Sequence, residues 1–224
     1  MIRIKKTAKP EILVANAEKW TKEYCCCLAH GKKPRDSLST AYNHPLIKKA
    51  LEDETYGKCA YCESKITHID FGDIEHILPK HKGARPELCF EWSNLTLACS
   101  ICNRSGKGTY YDEECPLINP YTDYPESYFT ALGWIIRASE GDIRADVTEE
   151  KLKLNRRGLI ERRKDRIKSI ENLLKLWAIT DSSNPDKLLY ENMLHKQYYN
   201  DKEYSFVVKE HLKAKNFPVK NKFV

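Results

Sequence analysis

The chain has 224 residues, and its 38 Lys or Arg against 32 Asp or Glu give a formal net charge of +6 at pH 7. A chain of this length can bury one substantial core, and a hydrophobic content of 41% is not that of a disordered protein. The positive charge is compatible with a nucleic-acid partner, but also with solubility alone. No stretch approaches the roughly 20 apolar residues of a membrane helix, and residues 1–6 lack the apolar run of a signal peptide. We therefore expect a cytoplasmic protein.

The N-terminal segment, residues 1–57, is predicted to be helical. Pro10 suits the first position of a helix, and apolar residues recur at helical spacing until Gly31 interrupts the pattern. A second helix is predicted to start near Pro45 and to end at Gly57. This segment therefore forms the first of three regions.

The central region, residues 58–115, has a different pattern of cysteine pairs, short apolar runs and glycines. Residues 73–78 and 94–98 are the two best candidates for strands, with a long loop between them. A small strand pair inside an otherwise helical chain predicts the α+β class.

The C-terminal region, residues 116–224, is predicted to be helical after a connector at residues 116–128. Residues 134–137 suit either a short strand or a helix. A long helix is predicted from an Asn155 cap to Ile179. Its apolar stripe is expected to contain Ile160, Ile167, Ile170, Leu174 and Trp177, and two shorter helices are expected after Pro185 and Asp201.

Four of the nine cysteines lie in two Cys-x-x-Cys pairs, Cys59 with Cys62 and Cys99 with Cys102. In a reducing compartment such pairs are typical of metal sites rather than disulfides. Together they supply the four thiolates of a tetrahedral zinc site, and a complete set leaves no open coordination position. We therefore predict a structural zinc. The other cysteines are interpreted as ordinary packing residues: Cys25, Cys26, Cys27, Cys89 and Cys115.

Polar residues stand at regular places between and after these pairs. Residues 73–80 read Asp-Ile-Glu-His-Ile-Leu-Pro-Lys, Asn94 precedes a Leu, and Asn103 directly follows the last cysteine. This ordered set, spanning residues 59–103, resembles the ββα-metal motif of HNH endonucleases. The resemblance implies a mostly helical chain around a small ββα-metal core that is held together by the zinc site.

The same resemblance implies a metal-dependent hydrolysis of phosphodiester bonds in nucleic acid. His76 would be the general base, a role that suits an imidazole near its pKa. Glu75 and Asn103 would ligate the catalytic cation, and oxygen ligands suit Mg²⁺ or Mn²⁺. Asn94 would hold the loop in place.

Two features depart from this pattern. The last motif position is Asn103, where the family often has His. In a regular strand Glu75 and His76 point to opposite faces, so their joint action needs a twist or bulge at the strand end. Asp73 shares the face of Glu75 and is either a further ligand or part of a loop.

The alternative function is a non-catalytic zinc module that binds nucleic acid or a partner protein, with His76 as a structural residue. Metal-dependent cleavage that is lost in a His76→Ala variant would separate the two readings. His68 and His81 are expected at the surface. Candidates for contacts with nucleic-acid phosphates are Lys80, Arg104 and Lys107.

A closer resemblance extends beyond the motif. Residues 55–63, 74–80, 117–120 and 154–157 are similar to the HNH nuclease subunits of Septu anti-phage systems, and related subunits accompany some retrons. This implies an effector subunit of a defence complex with an ABC/SMC-like ATPase (PtuA-type), or of a retron complex. Whether the target is DNA or RNA, including tRNA, is left open.

Overall fold

The structure is a computed structural model that describes residues 1–66 and 71–220. Its N-terminal region contains the helices α1 (Glu11–Ala29), α2 (Asp36–Ser39) and α3 (Pro45–Thr55). Residues 1–10 are not helical, which corrects the expectation for this end, and the Ile4 amide instead bonds the Pro120 carbonyl at 2.8 Å. The chain thus begins by packing on the connector rather than by starting a helix.

The prediction for α3 is confirmed, and local signals explain both of its ends. Nδ1 of His44 accepts from the Leu46 amide at 3.2 Å, and Pro45 occupies the first turn. Tyr56 and Gly57 then take left-handed φ values of 55° and 66°, which end the helix. The next residues lead directly into the first cysteine pair.

The central region contains one antiparallel hairpin of β1 (Asp73–His76) and β2 (Leu95–Ala98). Asp73 lies opposite Ala98, and His76 lies opposite Leu95. Both predicted strands are confirmed, and β1 is shorter than predicted. Beyond it the Ile77 amide bonds the Asn94 carbonyl, and two short 3₁₀ turns occupy the connection. A π-helical segment, Ile101–Lys107, follows β2.

The sequence predicted only part of a second hairpin, a possible strand at residues 134–137. The structure forms β3 (Phe129–Leu132) and β4 (Ile135–Ala138), which resolves residues 134–137 as mainly strand. Gly133 adopts a φ of 60° in the two-residue turn between them. The short helix α4 (Pro125–Tyr128) precedes this hairpin, inside the predicted connector.

Four more helices complete the described residues: α5 (Ile143–Lys151), α6 (Arg157–Ile179), α7 (Pro185–His195) and α8 (Ser205–Ala214). The last three confirm the predicted helical pattern, whereas α5 was not predicted. The Asn155 cap was wrong, because Arg156 precedes α6 and the Asn155 amide bonds the backbone of Ile136 instead. The buried stripe of α6 is Leu159, Arg163, Ile167, Ile170 and Leu174.

One large core joins all three regions of the chain. It includes Leu13 of α1, Leu51 of α3, Leu97 of β2, Ile118 of the connector and Phe206 of α8. The four paired cysteines belong to this core as well. A smaller cluster lies between α6, α7 and α8. Within residues 1–66 and 71–220, no helix is long and apolar enough to span a membrane.

Candidate metal centre and active site

The structure brings the four predicted cysteines together. The sulfur atoms of Cys59, Cys62, Cys99 and Cys102 all lie within 4.8 Å of one another and are buried. The first pair follows the end of α3, and the second spans the end of β2 and the start of the π-helical segment. Such a closed set of four thiols is a candidate structural zinc site, because Zn²⁺ favours four sulfur ligands at tetrahedral corners.

The guanidinium of Arg156 borders this cluster. Its Nη2 lies 3.6 Å from the sulfur of Cys62 and 3.7 Å from that of Cys99, and its Nη1 lies 3.6 Å from that of Cys102. Burial raises the pKa of the Cys59 thiol, whereas hydrogen bonds from the neighbouring thiols, with help from Arg156, lower the pKa of Cys62. A cation bound at this cluster would favour the thiolate form of all four cysteines.

His76 ends β1 with its imidazole buried, only 7% of the residue being exposed. Its Nε2 lies 2.8 Å from the Cys89 carbonyl, and its ring meets the Tyr42 ring edge-on at 4.6 Å between centroids. Burial lowers the pKa of His76 to about 3, and Lys80 acts in the same direction. The ring is therefore neutral at pH 7. Because a carbonyl only accepts, the proton lies on Nε2, and Nδ1 is the nitrogen that can accept another proton.

Glu75 contacts different elements from His76. Its Oε1 lies 2.6 Å from Nζ of Lys107 and 3.5 Å from the Tyr61 hydroxyl. Lys107 also donates to the His76 carbonyl at 2.8 Å and is only 4% exposed. Lys107, a candidate for phosphate contact, is thus buried in this structure and paired with Glu75. Its position at the end of the π-helical segment directs the ammonium towards the hairpin, where it compensates the buried carboxylate.

Asp73, two residues before Glu75, faces the same π-helical segment. Nδ2 of Asn103 donates to its Oδ2 at 3.0 Å, and Arg104 binds both carboxylate oxygens at 2.6 and 2.9 Å. Burial raises the pKa of Asp73, but the hydrogen bonds from Arg104 and Asn103 outweigh it and lower the pKa overall. Asp73 lies in a strand and not in a loop. Asn103 thus contacts Asp73, whereas Glu75 contacts Lys107.

Asn94 binds the chain on both sides of the loop that separates the strands. Its Oδ1 accepts from the Leu78 amide at 2.8 Å, and its Nδ2 donates to the carbonyls of Leu78 at 2.9 Å and Leu88 at 3.1 Å. One amide side chain therefore satisfies three backbone groups and fixes the loop against the strand ends.

The two other basic candidates lie closer to the surface. Nζ of Lys80 donates to the Ser39 carbonyl at 2.9 Å and lies 3.8 Å above the Tyr42 ring. The side chain of Arg104 is 72% exposed while its guanidinium holds Asp73. His81 is exposed, as expected, and His68 lies outside the described residues.

A polar cavity of about 430 Å³ opens beside Asp73 and Asn103. Sequence reasoning missed five residues of its lining: Tyr42, Asn43, Lys48, Phe71 and Gly72. Phe71 is 90% exposed, which is unusual for an apolar residue next to a strand. An isolated aromatic residue before a glycine carries no sequence signal that separates it from a core residue, so this cavity is visible only in the fold.

Residues 59–107 match the HNH endonuclease family. The chain is 29% identical over 187 residues to Septu protein PtuB of Bacillus thuringiensis, covering 82% of this chain and 67% of that one. It is 32% identical over 179 residues to Septu protein PtuB of Bacillus mycoides (strain KBAB4), covering 66% and 59%. A retron Vc95 protein of Vibrio cholerae serotype O1 biovar El Tor, provisionally named an HNH endonuclease, is 32% identical over 98 residues, covering 41% and 47%.

These matches confirm both resemblances drawn from the motifs, while the chain spans only about half to two thirds of the length of these relatives. No solved structure matches the chain.

The first testable prediction concerns the four cysteines. We expect one zinc ion per purified chain by elemental analysis, and loss of folding in Cys59→Ser and Cys102→Ser variants by circular dichroism. Structural zinc binding contributes on the order of 10 kcal/mol, which is comparable to the whole stability of a domain. Cys26→Ser, at an exposed position on α1, is the matched control and should keep the zinc. A well-folded wild-type protein without zinc contradicts the prediction.

Proposed function

We propose that this protein is a divalent-metal-dependent nuclease that hydrolyses phosphodiester bonds in nucleic acid. In this proposal residues 58–115 form the catalytic core, and the helical regions 1–57 and 116–224 support it and bind a partner. The observation that carries the proposal is the arrangement around β1 within the HNH domain. A neutral His76 ends this strand, and Asp73 and Glu75 face the segment that bears Asn103.

We assign the role of general base to His76, which is neutral and can accept a proton, although burial lowers its pKa to about 3 and thereby weakens it as a base. Phosphodiester hydrolysis requires a water molecule that loses a proton as it attacks the phosphorus. The neutral ring, with its Nε2–H fixed by the Cys89 carbonyl, keeps Nδ1 in the form that accepts this proton. The Tyr42 ring beside it limits the rotation of the imidazole.

The oxygen-bearing side chains fit a hard divalent cation. Asp73 and Glu75 lie two residues apart on β1, and both contact the π-helical segment. Mg²⁺ and Mn²⁺ prefer carboxylate and amide oxygens, which Glu75 and Asn103 would supply, with Asp73 as a further donor. When bound, such a cation supplies a positive charge that stabilises the phosphorane and the leaving oxygen. Joint action of Glu75 and His76 also requires a twist at the end of β1.

A specific observation favours the second candidate function, a non-catalytic zinc module. Both carboxylates are already paired with cations of the same chain, Glu75 with Lys107 and Asp73 with Arg104. His76 is almost completely buried. A purely structural role for these residues would produce the same contacts. A cleavage assay, and not the geometry of the site, therefore distinguishes the two functions.

We further propose that the nuclease is the effector subunit of an anti-phage complex with an ABC/SMC-like ATPase. The Septu and retron relatives support a defence context. The end of α6 and the outer face of α7 offer a surface for this partner. The apolar side chains exposed there are Leu176, Ile179, Leu188, Leu189 and Met193. None of these residues lines the cavity beside Asp73.

His76→Ala is expected to reduce cleavage about 100-fold or more, the usual effect of removing a general base. Folding and zinc content should not change. The assay measures metal-dependent cleavage of duplex DNA and of tRNA, so that it also identifies the target. His81→Ala is the control, because His81 is an exposed histidine of the same loop region. Wild-type cleavage by the His76→Ala variant, or no cleavage by the wild type with or without its partner, favours the non-catalytic zinc module.

Glu75→Gln and Asn103→Ala are expected to lower the maximal rate and to raise the concentration of Mg²⁺ or Mn²⁺ needed for half-maximal cleavage. The reason is that each variant removes an oxygen donor or the charge that attracts the cation. Asp73→Asn, measured in the same titration, shows whether Asp73 also binds the cation. Glu87→Gln, which changes an exposed acid outside the site, serves as the control. An effect of Asp73→Asn without any effect of Glu75→Gln contradicts the proposed ligand role of Glu75.

Coexpression with the cognate ATPase is expected to give a stable complex in size-exclusion chromatography. Cleavage by this complex should depend on ATP. Leu188→Asp is expected to dissociate the complex, because it places a charge on the proposed apolar contact. Leu132→Asp changes an equally exposed leucine on the β3–β4 hairpin and serves as the control. A monomeric chain that cleaves as fast alone as in any assembly overturns the subunit proposal but not the nuclease proposal.

A further inference from the structure

Arg156 is held between two sets of acceptors. On one side its guanidinium reaches the sulfur atoms of three of the four clustered cysteines, at 3.6 to 3.7 Å. On the other side Nη1 reaches the carbonyls of Leu152 and Lys153 at 3.4 and 3.3 Å, at the end of α5. The residue therefore joins the cysteine cluster to the junction of α5 and α6.

Arg163, seven residues further along α6, is fully buried. Its Nε and Nη2 atoms have no hydrogen-bond partner among the described residues, and Nη1 reaches only the Trp134 carbonyl and the Asn155 side chain, both at 3.5 Å. A buried guanidinium without a paired anion is strongly unfavourable. Its Cζ lies 5.9 Å from the centre of the Tyr204 ring, and the Tyr204 hydroxyl bonds Ser64, whose hydroxyl lies 3.4 Å from the Cys62 sulfur. Glu63, next to Cys62 in sequence, is paired with the amino group of Met1.

The charge of a zinc centre explains both arginines. Four thiolates around one Zn²⁺ carry a net charge of −2, which is costly to bury without compensation. Two guanidinium groups supply the same amount of positive charge. We propose that Arg156 and Arg163 compensate the charge of a tetrathiolate zinc centre, Arg156 by direct N–H···S hydrogen bonds and Arg163 through the field that it exerts from α6.

Charge compensation of the zinc centre explains why residue 156 is an arginine and why it lies within residues 154–157. One planar fork reaches three sulfur atoms and two carbonyls at once, whereas a lysine ammonium is a single point charge. In residues 154–157, Leu154 is a core residue, Asn155 ties the backbone of Ile136 and Arg156 reaches the sulfurs. Arg157 faces solvent and pairs with Glu161. The proposal rests on the zinc site and not on nuclease activity.

The test compares Arg156→Met with Arg157→Met, which removes a neighbouring charge that does not contact the cysteines. Partners that orient and polarise metal ligands are worth roughly 10- to 100-fold in metal affinity. We therefore expect zinc affinity, measured by competition with a chromogenic chelator, to fall by roughly this factor in Arg156→Met and to stay unchanged in Arg157→Met. In cobalt-substituted protein the sulfur-to-metal charge-transfer band should shift in Arg156→Met only. Equal affinities and spectra in the two variants overturn the proposal.

Arg156→Gln, which keeps a donor but removes the charge, is the second variant if Arg156→Met does not fold. If neither variant folds at ordinary zinc concentrations, both are refolded with excess zinc. We expect the fold to recover, because only the zinc affinity has fallen. A variant that stays unfolded at saturating zinc assigns Arg156 a purely structural role. Arg163→Met should weaken zinc binding less than Arg156→Met. The reason is that the Arg163 guanidinium has no hydrogen bond to a cysteine sulfur among the described residues, whereas that of Arg156 does. No effect of Arg163→Met on zinc affinity removes Arg163 from the proposal.

Discussion

The clustering of four buried cysteines is the constraint on which the rest of the structure depends. The cluster joins the end of α3, the end of β2 and the start of the π-helical segment, and Arg156 connects it to the start of α6. The hairpin between the two pairs has only four residues in each strand, and an isolated hairpin of this size is marginally stable in water. Fixing the chain at Cys62, before β1, and at Cys99, directly after β2, therefore stabilises this hairpin.

The π-helical segment connects the cysteine cluster to the candidate active site. Its second residue is Cys102, its third is Asn103 and its last is Lys107, so one short segment carries a zinc-ligand candidate and two contacts to the carboxylates of β1. Gly106 lets this segment approach α5, since a Cβ there would lie 2.7 Å from the Lys151 carbonyl. The metal centre, the hairpin and α5 thus restrain the same seven residues.

The sequence predicted those parts of the molecule whose signals are local. The cysteine spacing predicted the cluster, Pro45 and Gly57 marked the ends of α3, and short apolar runs located the strands. The signals that failed depend on distant contacts. Asn155 reads as a helix cap, but β4 uses its amide, and only the fold reveals that the basic Lys107 is paired with Glu75. The sequence alone does not tell whether a basic residue pairs with a phosphate of nucleic acid or with a carboxylate of its own chain.

The pairing of Asp73 with Arg104 and of Glu75 with Lys107 has a consequence for any cation that binds here. In the proposed mechanism, a divalent ion bound by Glu75 would have to replace the interaction between Lys107 and Glu75, which is buried and therefore only weakly screened by water. Lys107 and Asn103 belong to the same seven-residue segment as Cys102. The proposed cation ligand Asn103, the cation-competing Lys107 and one of the clustered cysteines are therefore parts of one short segment. Under the proposed function, a partner that displaced this segment would move Asn103 relative to Asp73 without touching the substrate, which relates the proposed ATPase dependence to the geometry of the site.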